Sequence, residues 1–446
     1  MALPTSITRK TLLFDLIITC SSTRFLSTQV MSFGDGTHGA LGLPSSIYGI
    51  GAHAYEPSAV PGLPSDVVGV SAGHYHSLAI TSQGELWAWG RNEEAQLGRG
   101  LLATRGTWNE PKRVGELNKV NVIGASASAV VTAAVGDDGS LWVWGKSKRG
   151  QLGLGQGVTE ALVPSRVKAL AGEKITKVAN KIEKVDEISK FRFSYLIWQV
   201  SFGWGHALAQ TEDGKLFGWG YSADGRIGKI GGPLLDFERK HQQDDAENLA
   251  TQAMEKEKDM AIVWEPRLVE ELQFHGVEIV DSACGLDHSL VLCRDGTILS
   301  SGSNTYGQLG RANRELGLVP VDLAYGGLSV AAGLGHSLAI CSSKKIVSWG
   351  WNHSKQLGRA GSENVVAEVE GSFGDEIPIS VCGGRAHSIA LTSKGEVWAW
   401  GCGKGGRLGL WSSTDEPQPI MVHSLEGAHV VRAVSGFDHN LVLVTQ

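Results

Sequence analysis

The chain has 446 residues, a net charge of -6 and a pI near 6.2, which argues against a surface built for sequence-independent binding of DNA or RNA. Its 59 glycines are nearly twice the usual share of about 7%, and no apolar run reaches the roughly 18 residues of a transmembrane helix. A chain of this length outgrows a single core, so it divides into domains or repeats one small unit around an axis.

A basic segment precedes the first predicted strand. Residues 1–29 contain three Lys or Arg, ten Ser or Thr and a single acid, Asp15. This acid-poor, hydroxyl-rich composition is typical of organellar transit peptides. A secretory signal is the alternative, although Asp15 interrupts the apolar stretch that such a signal requires. We therefore predict a transit peptide over 1–29, with the mitochondrial matrix as the destination and the plastid as the second choice.

One unit rich in glycine and tryptophan recurs along the rest of the chain. Its first complete copy is GHYHSLAITSQGELWAWG at 73–90, and a weaker copy over 128–145 has Val131 in place of His. The other copies close at Gly220, Gly302, Gly350 and Gly401. An alternating run, a glycine turn and an apolar run ending in Gly predict a β-hairpin in each copy. A Q-L-G-like corner follows each hairpin, and a proline is predicted to start a short outer strand in most units: Pro57, Pro111, Pro164, Pro266, Pro320 and Pro417.

The five complete copies other than 128–145, and the single strand at 436–446, carry a histidine at the same position, and these are His76, His206, His288, His336, His387 and His439. Because a residue that recurs in every repeat serves the repeat itself, we predict that they bond the backbone near a central channel. Metal binding would need several converging ligands, which separated repeat units do not provide. The tryptophans of the closing strands are predicted to pack between units, and Cys293 and Cys341 to lie in the core.

Extra chain interrupts the unit that closes at Gly220. When residues 178–199 are removed, the remaining sequence matches the strand at 67–73 and the normal spacing is restored. The insertion therefore falls inside a strand. Two interpretations remain open, namely a segment retained through a gene-model error, such as an intron, and a functional excursion from the unit.

A second insertion, at about 231–262, follows a corner and so falls in a connecting loop, where extra chain is tolerated. Acidic residues at 244–247 lead into a stretch rich in Ala, Gln and Lys, which predicts a capped, exposed helix. The simplest interpretation is a solvated loop helix, and the alternative is a projection that binds a partner.

The two ends of the repeat region are complementary. Residues 436–446 supply a first hairpin strand with no second strand after it, and 30–42 supply a second strand with no first strand before it. Counting the closing glycines gives seven units, one of them assembled from both ends. A linear array would need polar capping repeats, whereas a closed ring needs this split. We predict an all-β fold over 30–446, a seven-bladed β-propeller closed by pairing of the N- and C-terminal strands, with an inserted helical loop.

The G-x-x-H-[ST]-x-x-L, W-G and G-Q-L-G signatures resemble those of the regulator of chromosome condensation family over nearly the whole chain. The stretch MSFGDGTHGALGLP and its leader are similar to the plant mitochondrial member, a relative of the nuclear guanine-exchange factor and the plant UV-B receptor. This resemblance implies a non-catalytic scaffold that supports splicing of a mitochondrial NADH dehydrogenase subunit transcript, and thereby complex I biogenesis. The alternative that it implies is a guanine nucleotide exchange factor for an organellar GTPase.

The repeat leaves free the two residues between Gly and His, which in the family look toward one face of the disc. The partner-binding residues predicted at these positions are His74, Tyr75, Trp204, Leu286, Asp287, Leu334, Arg385, Phe437 and Asp438. An apolar and aromatic rim is typical of a protein-binding surface, and the alternative is that these side chains only pack loops over the propeller mouth. Trp204 stands alone where the UV-B receptor repeats tryptophans, which speaks against photoreception. Asp287 and Asp438 are the only acids that resemble the exchange factor's acidic face.

No sequence motif for catalysis stands out. The chain has no nucleophile elbow, phosphate loop, H-E-x-x-H or C-x-x-C motif. We therefore predict no enzyme activity, no cofactor and no metal. The predicted partners are proteins, either organellar splicing factors or a small GTPase, with RNA contacted indirectly and neither DNA nor membrane bound.

Overall fold

The computed structural model describes residues 27–44, 52–100, 107–175, 200–230, 262–275, 277–312, 315–371, 373 and 376–446. The predicted transit peptide lies outside these residues except for 27–29. The two predicted insertions also lie outside them, apart from Ile262. The described chain consists almost entirely of β-strands and tight turns, as predicted for an all-β fold.

Within the described residues, 28 strands form seven four-stranded antiparallel sheets, which are the blades of a propeller. The first strands are β1 (Thr28–Gly34) and β2 (Ala54–Ala59). Blade 1 contains β3 (Val67–Ala72), β4 (His76–Thr81), β5 (Leu86–Gly90) and β6 (Lys112–Arg113). Blade 2 contains β7 (Val122–Ala127), β8 (Val131–Gly136), β9 (Leu141–Lys146) and β10 (Glu160–Arg166). Blade 3 contains β11 (Val200–Phe202), β12 (His206–Gln210), β13 (Leu216–Tyr221) and β14 (Ile262–Leu268).

The remaining blades repeat the same order from the channel outward. Blade 4 contains β15 (Ile279–Cys284), β16 (His288–Cys293), β17 (Ile298–Gly302) and β18 (Val319–Pro320). Blade 5 contains β19 (Gly327–Ala332), β20 (His336–Cys341), β21 (Ile346–Gly350) and β22 (Ala367–Glu368). Blade 6 contains β23 (Pro378–Gly383), β24 (His387–Thr392), β25 (Val397–Gly401) and β26 (Glu416–Met421). Blade 7 combines β27 (His429–Ser435) and β28 (His439–Thr445) with β1 and β2. Short 3-10 turns lie at Gly115–Leu117, Lys168–Leu170, Ala223–Gly225, Glu270–His275, Lys404–Gly406 and His423–Leu425.

Blade 7 closes the ring as predicted. Strand β1 pairs with β28 in continuous antiparallel register from Thr28 opposite Thr445 to Gly34 opposite His439. The strand begins at Thr28, so 28–29 belong to the blade and not to the leader. The backbone N–H of Gln446 also donates to the Ser27 carbonyl at 2.8 Å, which places the two ends of the described chain side by side.

The closing glycine of each hairpin is a steric requirement. Gly90 has φ of 107°, and a Cβ added there would come within 2.5 Å of the Tyr75 carbonyl oxygen. An L-residue would be strained by the dihedral angle and would collide with the loop that precedes β4. The same reasoning applies to the closing glycines of the other blades, which have positive φ as well.

Adjacent blades are joined by a recurring hydrogen-bond relay. Between blades 4 and 5, Nε2 of His288 lies 3.0 Å from Oγ of Ser337, whose hydroxyl donates to the Gln308 carbonyl at 2.8 Å. Nε1 of Trp349 donates to the same carbonyl at 2.9 Å. The equivalent histidine contacts in other joints are His76–Thr132, His206–Ser289, His336–Ser388, His387–Asn440 and His439–Ser77. The histidines are therefore structural, but the prediction of backbone partners is wrong, because each imidazole reaches a side chain of the next blade.

The joint between blades 2 and 3 lacks this relay. Val131 replaces the histidine, Ala207 replaces the hydroxyl residue and Ser128 replaces the loop glycine. Nε1 of Trp219 still donates to the Gln151 carbonyl at 2.7 Å. The three replacements are physically coupled: without an imidazole, the loop has room for the Ser128 side chain and the next blade needs no hydroxyl.

The closing-strand tryptophans divide into two groups. The tryptophans adjacent to the closing glycines are fully buried between blades, as predicted: Trp89, Trp144, Trp219, Trp349 and Trp400. Those two positions earlier, Trp87, Trp142 and Trp398, are only half-buried. Cys293 and Cys341 are buried at 3% and 1% exposure, which confirms the prediction of core cysteines.

The outer-strand prolines do not start their strands in five of the blades. Pro57 lies inside β2, where the pairing register with β1 shifts, and Pro164, Pro266 and Pro417 lie at the equivalent irregularities of β10, β14 and β26, while Pro320 ends β18. Because proline has no N–H to donate, an irregular edge strand is the position that accepts it. The prediction of a strand start is therefore wrong for these prolines.

The inner strand of blade 3 has described residues on both sides of 176–199. Ile175 pairs with Thr211 in an isolated bridge, and Val200 pairs with Ala209 of β12. In blade 1 the corresponding partners, Thr81 and Ala79, pair with Val67 and Val70 of a single strand. Ile175 and Val200 thus occupy the places that one continuous strand holds elsewhere.

The inner strands also share a β-bulge near their first residue. The pairing register skips one apolar residue in six blades: Val68, Ile123, Val280, Leu328, Ile379 and Val431. We call the face at which these strands begin the bulge face. The opposite face, which carries the G-x-x-H loops at the other ends of the inner strands, is the histidine face.

Candidate functional site

Backbone hydrogen bonds link the G-x-x-H loops around the channel mouth on the histidine face at six of the seven joints between blades. The first free residue of one loop donates its backbone N–H to the next loop, as from Leu286 to the Leu334 carbonyl at 2.9 Å and from Arg385 to the Phe437 carbonyl at 2.8 Å. Phe437 donates in turn to Gly73 at 3.1 Å, across the blade that joins the chain ends. The predicted site residues are therefore held on a rigid backbone frame.

Five side chains on this frame stack into what we call the aromatic ladder, which spans blades 6, 7 and 1. The guanidinium of Arg385 lies 4.9 Å from the Phe437 ring centroid, and the Phe437 ring stacks on His74 at 4.5 Å. His74 meets Tyr75 edge to face at 6.0 Å, and Arg91 covers Tyr75 at 5.2 Å. Cation–π and aromatic contacts of this kind attract at these distances. Burial lowers the pKa of His74 to about 4, so this ring is neutral near pH 7.

Asp438 anchors the arginine at one end of the ladder. Its Oδ1 lies 3.0 Å from Nε of both Arg385 and Arg407. Burial raises the pKa of Asp438, while the two guanidinium groups oppose that shift. Asp438 is therefore committed to a local ion pair, and it fixes the direction in which Arg385 meets Phe437.

Trp204 lies apart from the ladder, on blade 3. Its side chain is 45% exposed, and the guanidinium of Arg149 lies 4.9 Å from its ring. Arg149 also covers Tyr221 at 5.6 Å. No tryptophan ring pairs with another anywhere in the described chain, so the tryptophan array needed for photoreception is absent from this part of the molecule.

The remaining predicted residues line or border the channel mouth. Leu286 and Leu334 are half-buried in the wall of a small cavity of about 100 Å³ that all seven blades border. Asp287 is half-buried and its Oδ1 accepts from Nε2 of Gln308 at 3.3 Å. Burial raises the pKa of Asp287, an effect that the charge of Arg226 opposes. His74 and Phe437 of the ladder line the same cavity, so Leu286 and Leu334 continue the channel mouth from the ladder, whereas Asp287 makes a separate polar contact with Gln308.

Sequence reasoning missed three arginines that complete the contacts of the site, and one exposed aromatic residue that lies beside it. Arg91, Arg149 and Arg407 come from the corner loops that follow the closing glycines, and Tyr306, which is 44% exposed, comes from a loop of the same kind. These loops lie beside the G-x-x-H loops, as the hydrogen bond from Arg91 N–H to the Tyr75 carbonyl at 2.8 Å illustrates. The residues between the closing glycine and the Q-L-G corner vary from unit to unit, which was the available signal for Arg91, Arg149 and Tyr306. Arg407 replaces the Gln of the corner itself.

The chemistry of the described residues is that of recognition. Among them, no group of three or more His, Cys, Asp and Glu side chains comes close enough to hold a metal ion. The helices in the same residues are all too short or too polar to cross a membrane. The repeat histidines, which are the most numerous titratable groups in the interior, are bound in the relays between blades.

Comparison with known proteins gives a consistent match. The chain fits the profile of the RCC1-like domain over residues 29–442. It is 29% identical over 265 residues to the Ultraviolet-B receptor UVR8 of Arabidopsis thaliana, a region covering 53% of this chain and 52% of the receptor. It is 26% identical over 384 residues to the RCC1 domain-containing protein RUG3, mitochondrial, of A. thaliana, covering 83% of this chain and 63% of that protein. The matched regions thus span less than two thirds of either relative.

The solved structures agree with the architecture. The crystal structure of Prp20p from Saccharomyces cerevisiae aligns with a TM-score of 0.70 and 19% identity, covering 94% of this chain and 92% of Prp20p. At this identity the likeness concerns the fold alone. It supports the assignment of seven blades of the RCC1 type.

Proposed function

Because the chain belongs to the RCC1-like domain family, we propose that it is a non-catalytic scaffold that binds a protein partner through the aromatic ladder of its histidine face. The ladder carries this proposal. It offers two guanidinium groups and three aromatic rings on one frame, and Arg and aromatic residues dominate the energetics of protein interfaces. A rigid frame also lowers the entropic cost of binding, because little of the surface has to be ordered when the partner arrives.

The location and the process are the finer parts of this proposal. The similarity to mitochondrial RUG3 and the acid-poor leader favour mitochondria. The resemblance stated above implies a role in splicing a transcript for an NADH dehydrogenase subunit, and so in complex I biogenesis. With a net charge of -6, the protein would contact the transcript through its partner, since a surface for direct RNA binding is usually basic.

The test combines targeting with capture of partners. A fluorescent fusion of residues 1–35 is expected to enter mitochondria, and a diffuse cytosolic signal would reject that location. Full-length tagged protein and the variant Tyr75→Ala/Arg385→Ala are then compared by quantitative affinity capture from isolated mitochondria. We expect the double variant to lose the main partner and the spliced transcript to decrease with it.

A matched control lies on the same face. Tyr306→Ala removes an exposed aromatic ring outside the ladder, so it should leave partner capture unchanged. Equal loss in both variants, or full retention in the double variant, would show that the ladder is not the binding surface.

Guanine nucleotide exchange on an organellar GTPase is the second candidate. Prp20p, with which the fold agrees, was described together with its binding to Gsp1p and histones. Asp287 is an acid on the histidine face that, within the described residues, makes no ion pair. It therefore leaves one carboxylate for a GTPase contact.

Nucleotide release separates the two candidates. Purified protein is added to a candidate organellar GTPase loaded with a fluorescent guanine nucleotide, and the release rate is measured. An exchange factor accelerates release and loses that effect on Asp287→Asn. A scaffold leaves the rate at its intrinsic value.

A further inference from the structure

The bulge face carries an apolar patch that the fold leaves uncovered in two blades. At the shared bulge position, Val68, Ile123 and Val431 are half-buried against the core and Val280 is within it. Leu328 and Ile379, at the same position in blades 5 and 6, are 40% and 54% exposed. Because the backbone is the same in all these blades, the exposure arises from the surroundings and not from the bulge itself.

Two neighbours extend this patch. Tyr325, just before β19, is 56% exposed, and Ile377, just before β23, is 37% exposed. Strands β19 and β23 lie against each other, so the four side chains begin adjacent strands at one edge of the disc. We call them the bulge patch. Four contiguous large apolar side chains are typical of an interaction site, whereas single exposed ones are ordinary.

The charges on the hairpin turn beside Tyr325 are positive, and the acid next to Ile377, Glu376, is paired with Lys394. Lys344 and Lys345 form the hairpin turn of blade 5, where the Ser342 N–H donates to the Gly326 carbonyl beside Tyr325. Both lysines are exposed, and neither makes an ion pair within the described part of the chain. The turn therefore presents free positive charge next to an apolar surface.

A third cation, Arg432, lies on the inner strand of blade 7, directly after the bulge residue of that blade. It is level with Ser380 of blade 6, because each of the two residues pairs with the equivalent position of the second strand in its own blade. No carboxylate among the described residues pairs with it, and burial lowers its pKa to about 10. Arg432 is half-buried, and a partly desolvated guanidinium without a counter-charge is destabilising, so an anion on this face would stabilise it.

From these observations we propose that the bulge patch docks an acidic, apolar segment of a partner protein. Its leucine- or isoleucine-like side chains would cover Leu328 and Ile379, and its carboxylates would face Lys344, Lys345 and Arg432. Charge complementarity is what selects this occupant over a neutral apolar chain. The bulge patch lies on the face opposite the aromatic ladder, so the outcome of its test does not depend on the proposed function.

The probe is a fluorescein-labelled peptide of leucine and glutamate, measured by fluorescence anisotropy with the full chain. A first analogue has glutamine in place of glutamate, and a second has serine in place of leucine. We expect both analogues to bind about tenfold more weakly or worse, which corresponds to about 1.4 kcal/mol or more. Equal binding of the glutamine analogue would overturn the charge argument.

Variants of the protein test the same contacts. Leu328→Ser/Ile379→Ser should weaken binding of the parent peptide about tenfold or more. Lys344→Gln/Lys345→Gln should lower the affinity for the parent peptide to the value that the unchanged protein shows for the glutamine analogue. All four positions are exposed, so these variants retain the fold, and unchanged thermal unfolding verifies this. Ile420→Ser, at an apolar residue with 39% exposure on the outer strand of blade 6, is the matched control and should bind normally.

Two further outcomes would overturn the proposal. In one, the peptide binds Leu328→Ser/Ile379→Ser as tightly as the parent protein. In the other, sedimentation shows that the parent protein self-associates and that this variant does not, so that a second copy of the chain covers the patch.

Discussion

The imidazole of His288 lies 3.0 Å from the hydroxyl of Ser337, one blade further around the ring. Since that hydroxyl donates its only hydrogen to the Gln308 carbonyl, the imidazole must be the donor, which fixes the proton on Nε2. The other ring nitrogen is buried without a hydrogen-bond partner. The histidine therefore functions as a neutral strut between blades.

Removal of either end of this strut should destabilise the ring. His288→Ala and Ser337→Ala each leave a buried polar group without its partner, at a cost of about 1–3 kcal/mol. The double variant should lose less than the sum of the two, with a coupling of about 0.5–3 kcal/mol. Urea unfolding of the four proteins measures this cycle, and strict additivity would mean that the contact contributes nothing of its own.

The joint between blades 2 and 3 should accept a relay only if all three replacements are reversed together. Val131→His alone places an imidazole ring against the Ser128 side chain. In blade 5 the equivalent loop residue is Gly333, and a Cβ added to it would lie only 2.1 Å from Cε1 of His336. We expect a loss of about 1–3 kcal/mol from this overpacking. Ser128→Gly/Val131→His/Ala207→Ser should recover most of it. A triple variant as unstable as the single one would show that the joint is not equivalent to the others.

Stability should fall when the pH drops below the ordinary histidine pKa. Burial lowers the pKa to about 3 for His76, His288, His336 and His387. In the unfolded chain these groups titrate near 6.5, so below that pH the unfolded state binds protons that the native state excludes. The loss is roughly 1.4 kcal/mol per pH unit for each histidine between about 6.5 and 3, and is absent above about 6.5.

Urea midpoints at several pH values measure this dependence. His288→Gln should make the slope shallower even though it lowers stability overall. Ile420→Ser, at an exposed residue without a titratable group, should leave the slope unchanged. A flat profile for the parent protein would contradict the assignment of these buried histidines as neutral.

Trp411 is an exposed side chain on a strained backbone. Trp411 has φ of 64°, and its side chain is 68% exposed. Its backbone N–H donates to the Tyr55 carbonyl. The equivalent residues of blades 1 and 2 are Gly100 and Gly155, which also have positive φ and donate their N–H groups in the same way. Asn tolerates this conformation better than Trp, so Trp411→Asn should raise stability by about 0.5–1 kcal/mol. Tyr325→Asn, at another exposed aromatic residue without positive φ, should give no such gain. A lower melting temperature for Trp411→Asn would mean that its ring packs more than its exposure suggests.

The blades could be predicted from sequence because each hairpin is local. The alternating run, the glycine turn and the closing glycine lie within one repeat, and the complementary ends implied the pairing of β1 with β28. The partner of each histidine could not be predicted in the same way. His288 and Ser337 are 49 residues apart, and they meet only because the ring places consecutive blades side by side.

The candidate site shows the same limit. The residues between Gly and His were identifiable because the repeat leaves them free. Their grouping into a ladder depends on Arg91, which belongs to a different loop, and on a stack that crosses three blades. The exposure of Leu328 and Ile379 was not predictable, since the bulge position is apolar in six blades and these two residues differ from the others only in what covers them.

The pairing of Ser27 with Gln446 has a practical consequence for handling the protein. Both residues lie at the bulge-face end of blade 7, because β28 runs from His439 on the histidine face to Thr445. Chain attached directly before Ser27 or after Gln446 will therefore leave the disc at the same point, on the bulge face. An affinity tag or surface anchor joined at either residue presents the aromatic ladder outward to solvent, and it crowds the face that carries Leu328 and Ile379.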